Sequence, residues 1–117
     1  MATKEEIHAL IESYVAAVGR QDLEGVLAVF ADDVVQEDPI GTPPNVGLDA
    51  VRGFFEKSFG MPFSTELTGP VLVTGDYAAF HFTIRIPLGE DTMVVRVIDQ
   101  IRVNAEGKVA ELRAVVD

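Results

Sequence analysis

The chain has 117 residues, of which 48% are hydrophobic, and 19 acidic against 9 basic side chains give a formal net charge of −10. That balance excludes nucleic acid and anionic membrane surfaces as partners, because phosphate binding is driven by basic groups. With no cysteine in the sequence, disulfides, iron–sulfur clusters and thiolate metal sites are excluded as well.

The length fits one domain spanning residues 1–117. Residues Met1–Glu6 carry no apolar leader, and no apolar run approaches the roughly 20 residues that span a bilayer. A cytoplasmic setting is expected. Thr3 and Glu6 have capping-box spacing, which starts a first helix. Behind them Ile7, Leu10, Ile11, Tyr14, Val15 and Val18 recur at helical spacing, with Gly19 as the stop. Asp22 is the expected cap of a second short helix carrying Leu23, Val26, Leu27 and Phe30, ended by Asp32 and Asp33. A short strand is expected from Val34 to Asp38, then a loop at Pro39–Pro44, where consecutive prolines can continue neither ladder nor helix. Asp49 reads as the cap of a third helix through Lys57, closed by Gly60.

From residue 64 the pattern becomes one of strands. A weaker run, Ser64–Val73, precedes three long alternating ones at Tyr77–Ile86, Thr92–Asn104 and Lys108–Val116, with turn residues between them. Three N-terminal helices followed by a meandering antiparallel sheet predict an α+β domain, its helices covering one face of a curved sheet.

Three residues break the pattern around them. On the run Thr92–Asn104 the positions sharing one face are Met93, Val95, Val97, Asp99, Ile101 and Val103, so Asp99 is a lone carboxyl on an apolar face. Either it takes up a proton, since an unpaired buried carboxylate is too costly to keep charged, or it pairs with an amide or cation from elsewhere in the fold. Tyr14 lies on the buried stripe of the first helix, where a phenol normally seeks a hydrogen-bond partner. Asp38 ends a strand, on the same side as Val34 and Gln36. There it is either a solvated turn-former or a general base facing a cavity. His8 and His81 are single and lack metal-ligand spacing. Phe54, Phe55, Phe59, Phe63, Phe80 and Phe82 are core or pocket wall, which the sequence alone does not sort.

The segments 14–18 (Tyr-Val-Ala-Ala-Val), 30–41 (Phe-Ala-Asp-Asp-Val with Glu-Asp-Pro-Ile-Gly) and 97–104 (Val-Ile-Asp-Gln-Ile-Arg-Val-Asn) closely resemble the bacterial ketosteroid isomerases, or steroid Δ-isomerases, over essentially the whole chain. The resemblance implies a cone-shaped α+β fold of the nuclear transport factor 2-like type. It also implies a steroid substrate, a homodimer, and catalysis without metal or organic cofactor. By the same resemblance Asp38 is the proton-transferring base, and Tyr14 and a protonated Asp99 are donors to the carbonyl oxygen. The expected pocket lining is Val18, Phe54, Phe55, Phe82, Ile84, Ile86, Val97, Ile101 and Val116. The chain departs from some relatives at Phe55 and Phe30, where they carry tyrosines, and at Ile101, where an aromatic is common. Other readings are a cyclase or dehydratase of the same fold acting on another enolisable ketone, and a non-catalytic binder of hydrophobic ligands.

Overall fold

A computed structural model describes residues 1–117. The capping box forms as the spacing predicts: the Glu6 backbone N–H donates to Thr3 Oγ1 at 3.1 Å and the Thr3 N–H to Glu6 Oε1 at 3.0 Å. They start helix α1, Lys4–Gly19, whose buried side chains are Ile7, Ile11, Tyr14, Val15, Ala17 and Val18. Helix α2 is Leu23–Leu27, capped by Asp22, whose carboxylate accepts from the Gly25 N–H.

Here the chain departs from expectation. Phe30 to Asp33 belong to a strand, β1 (Phe30–Glu37), and not to the second helix. Phe30 pairs with Val109 in the sheet, and a helix of one turn cannot compete with that pairing plus burial of the Phe30 ring. A two-residue strand β2 (Asn45–Val46) follows, then helix α3, Leu48–Ser58. Gly47, not Asp49, is the N-cap of α3, with a positive φ of 89°. Its N–H donates to Val34 O at 2.7 Å, so the chain must turn there into a conformation that glycine adopts without strain. Asp49 lies instead in the first helical turn, where a carboxylate suits the positive end of the helix dipole.

Strands β3 (Ser64–Thr74), β4 (Tyr77–Leu88), β5 (Asp91–Val103) and β6 (Val109–Val116) complete a six-stranded sheet in the order β2-β1-β6-β5-β4-β3. All neighbours run antiparallel except β1 and β6, which are parallel. The chain leaves β1, crosses through α3 and builds the meander from its far edge, so it returns to β1 in the same direction. The sheet stays open, with β2 and β3 as its edges. No helix is long and apolar enough to cross a membrane.

The inward-facing rows follow the pleat. Ala78, Phe80 and Phe82 on β4 stand opposite Ile101, Asp99 and Val97 on β5, which stand opposite Leu112, Ala114 and Val116 on β6. Helix α1 lies over β3 and β4, and α3 lies against β1 and β2. Close approach of α1 to β3 depends on Gly19, since a Cβ there would overlap Thr65 Oγ1. Thr65 Oγ1 in turn donates to Val15 O at 2.7 Å and ties the strand to the helix. Between the two helices, over the bent sheet, a space remains that neither fills.

A candidate active site: an apolar cavity with three proton-bearing groups

That space is a cavity of about 330 Å3, within the range of small-molecule sites, about 300–1,000 Å3. Hydrophobic side chains supply 13 of its 16 lining residues, and its polar side chains are Tyr14, Asp38 and Ser58. Ser58 already spends its hydroxyl on Phe54 O at 3.0 Å. Eight of the nine expected wall residues line the cavity: Val18, Phe54, Phe55, Phe82, Ile84, Ile86, Val97 and Val116.

Ile101 is the correction. It is 2% exposed and faces a small void with Leu10, Ile11, Phe30, Phe80, Val109 and Leu112. Alternation puts Ile101 on the right face of β5, but that end of the strand lies beneath the N-terminal half of α1. Pro39, Phe59, Met61, Phe63 and Val95 also line the cavity. Val95 shares the inward parity of Val97 and was readable on that ground. The 59–63 segment has no periodicity, so only the fold could place it.

Tyr14 is carried on α1 with its ring held edge-on by three others. Phe30, Phe80 and Phe55 lie at centroid distances of 5.8, 6.2 and 6.4 Å and interplanar angles of 89°, 76° and 79°, a geometry favoured by aromatic quadrupoles. No side chain behind the ring offers its hydroxyl a hydrogen bond, so the O–H is left to face the cavity. Burial, then the nearby Asp99 and Asp38 charges, raise its pKa well above the usual phenol value. Tyr14 therefore stays a neutral donor.

Asp99 is 1% exposed, and neither carboxyl oxygen has a hydrogen-bond partner. Its same-face neighbours are Phe80 and Ala114 across the ladder and Val97 and Ile101 along the strand, so no cation or amide compensates it. Of the two outcomes open in the sequence, this is the unpaired one. Burial, followed by the Asp38 charge, pushes its pKa well above the carboxylate range, toward the neutral acid. It lies two residues deeper along β5 than Val97 and sits behind the cavity surface rather than on it.

Asp38 lines the cavity at the end of β1, on the side of Val34 and Gln36 that alternation predicts. The Asp38–Pro39 peptide bond is cis. The loop it begins is tied down by its neighbours. Ile40 N–H donates to Ala114 O at 2.8 Å, directly across the ladder from Asp99. On the outer side Glu37 accepts from Gly41 N–H at 3.0 Å and Arg113 Nε at 2.9 Å. The Gly41 N–H bond, then Arg113, hold the Glu37 pKa below its usual value, so Glu37 is a fixed anionic clamp; nothing in its local sequence marked it. Burial alone pushes Asp38 up to about 6. The carboxylate is thus ionised at neutral pH yet more basic than an ordinary aspartate. No three His, Asp or Glu side chains converge as a metal-ligand group. His8 and His81 lie outside the cavity lining.

The arrangement is a half-buried carboxylate and a phenol lining an apolar space, with a buried, unpartnered carboxyl just behind its wall. The sequence matches the SnoaL-like domain family over residues 11–112. Among curated proteins, a steroid Delta-isomerase from Nocardioides simplex is 32% identical over 109 residues, covering 93% of this chain and 88% of that protein. Among solved structures, SalBIII, an epoxide hydrolase/cyclase-like enzyme described in pyran ring formation of the polyether salinomycin, aligns with a TM-score of 0.88. That alignment spans 100% of this chain and 95% of SalBIII at 19% identity, a likeness of fold.

A consequence for stability follows from Asp99. Its folded pKa is raised, so between the unfolded carboxyl value of about 3.9 and its own folded value the native state holds a proton that the unfolded state has lost. Its contribution to stability is fully present below the unfolded value and is lost as pH rises toward the folded one. Asp99→Asn removes this loss. The melting temperature of Asp99→Asn relative to wild type should therefore climb between about pH 4 and pH 8. A difference that stays flat across that range contradicts a neutral Asp99.

Proposed function

The chain belongs to the SnoaL-like domain family, of the nuclear transport factor 2-like fold, and from that premise we propose that it isomerises 3-oxo-Δ5-steroids to conjugated 3-oxo-Δ4-steroids. One observation carries the reading: a buried carboxyl without any partner, Asp99, lies close to a phenol, just behind the wall of the apolar cavity that a basic carboxylate lines. A cavity that only bound apolar ligands gains nothing from burying Asp99 unpaired, because an apolar side chain of that size would cost less.

The chemistry follows from the roles. In such a substrate the carbon between the carbonyl and the double bond bears a hydrogen that is both α and allylic. Asp38 takes it as a proton, and the C–H electron pair moves into the ring as a dienolate with negative charge on the former carbonyl oxygen. Tyr14 and protonated Asp99 donate hydrogen bonds to that oxygen, and both are worth more in a dry cavity than in water. Asp38 then returns the proton two carbons further on. No atom is gained or lost, and the apolar walls hold the rings while one short carboxylate serves both positions. A base with pKa near 6 is well matched to this step, since it is ionised at neutral pH without being too weak to accept the proton.

The outer sheet face supports a second proposal, a homodimer. Val94, Ile98 and Val115 are 52%, 48% and 55% exposed, and Ile98 stands directly opposite Val115, so a second copy has an apolar patch to cover, flanked by the exposed Arg96–Asp117 ion pair. Sedimentation equilibrium should give twice the 12.7 kDa chain mass, and a monomer at every concentration contradicts it.

Purified protein should convert 5-androstene-3,17-dione to its Δ4 isomer, followed as rising enone absorbance. Its kcat/KM should fall as pH drops through about 6, where Asp38 takes up a proton. Asp38→Asn should lose about 10²–10⁴-fold in rate, the worth of a positioned base. Tyr14→Phe and Asp99→Leu should each lose about 10²–10³-fold, the worth of one oxyanion donor. Undiminished turnover in Asp38→Asn, or binding without turnover in wild type, contradicts the reading.

A further inference from the structure

Six residues have positive φ, and five of them are glycines: Gly41, Gly47, Gly75, Gly89 and Gly107. The sixth is Gln21, at 55°. It turns the chain between α1 and α2, its N–H donating to Val18 O at 3.0 Å. Glycine would make this turn without strain, so the backbone gives no reason for glutamine here. The side chain does. Gln21 Nε2 donates to Met61 O at 2.7 Å, 40 residues along the chain.

Met61 is the middle of the segment joining α3 to β3. Gly60 N–H is still bonded to Lys57 O, and the β3 ladder resumes at Ser64. Between these points, Gln21 holds the segment. Phe59, Met61 and Phe63 from this one stretch all line the cavity. The segment leads into Thr65, which packs at Gly19 on the end of α1. It therefore covers the part of the cavity on the far side of Val18 from Tyr14.

We infer that Gln21 is a positioning residue for the mouth of the cavity, fixing the 59–63 wall against the part of the substrate that lies beyond the reacting ring. The strained turn is retained because only a side chain can hold Met61. The inference rests on the isomerase reading for its substrate, a fused multi-ring ketone. Contacts remote from the reacting atoms, made equally in ground and transition states, act on KM and leave kcat alone.

The test compares wild type with Gln21→Gly, which keeps the turn and removes the side chain, and Gln21→Asn, whose amide is one methylene short of Met61. The substrates are 5-androstene-3,17-dione and cyclohex-3-en-1-one, a single-ring ketone too small to reach the mouth. Both variants should raise KM for the steroid about fivefold, as loss of one neutral hydrogen bond does. Steroid kcat and all constants for the small ketone should stay unchanged. The melting temperature of Gln21→Gly should equal or exceed that of wild type, because the strain is relieved. An unchanged steroid KM overturns the inference, and so does an equal loss on both ketones or a lower melting temperature with lower kcat. If wild type turns over neither ketone, the isomerase reading fails by itself. The tether is then read from 1-anilinonaphthalene-8-sulfonate titration: about fivefold weaker dye binding in both variants supports it, and equal binding overturns it.

Discussion

A carboxylate moved from water into an apolar interior loses several kcal/mol of solvation that only a partner can return. Asp99 has no partner. Phe80, Ala114, Val97 and Ile101 surround it on its face of the sheet, and this burial pushes its pKa up, toward the neutral acid. The other features of the site matter because of this constraint. A neutral acid is a hydrogen-bond donor, and a donor in a dry cavity is useful where negative charge develops. The same dryness raises Asp38 without any help from a neighbouring group. Burial thus raises both carboxyls, Asp99 further than Asp38, the two differing in how completely the fold covers them.

The elements divide the work by stiffness. Asp99 stands on a central strand paired on both sides, and Tyr14 on a helix whose ring is wedged among Phe30, Phe55 and Phe80. Both side chains are therefore held by packing rather than by a hydrogen-bond chain. In particular, the phenylalanines at 30 and 55 leave Tyr14 no hydroxyl behind it to polarise its O–H. Asp38 lies just past the end of β1, on a loop, a placement that suits the proposed transfer between two carbon atoms. That loop is nonetheless anchored at Ile40 to Ala114 and at Glu37 to Gly41 and Arg113.

Much of this was legible from residue order, and what was legible had a period. Parity along the strands gives the inward face, so Asp99, Val97, Phe82, Ile84 and Ile86 could be placed, and Asp38 could be set on the side of Gln36. Helical spacing did the same for Tyr14 and Val18. Parity says nothing about depth, which is why Ile101 shares a face with Val97 but packs in the core under α1. Nor does period reach a segment without one: Phe59, Met61 and Phe63 become a wall only when α3 and β3 converge. The start of β1 at Phe30 was hidden because its pairing partner, Val109, is 79 residues away. The parallel pairing of β1 with β6 was hidden for the same reason. The antiparallel meander was visible because its turns are local.

The protonation state of Asp99 can be seen directly by carbon-13 NMR of protein labelled at the aspartate carboxyl carbon. One signal, identified by its absence in Asp99→Asn, should keep the chemical shift of a protonated acid from about pH 5 through pH 8, while Asp38 titrates near 6. If the Asp99 signal titrates near the ordinary carboxyl value of about 3.9, the site has no neutral carboxyl donor and the proposed chemistry is contradicted.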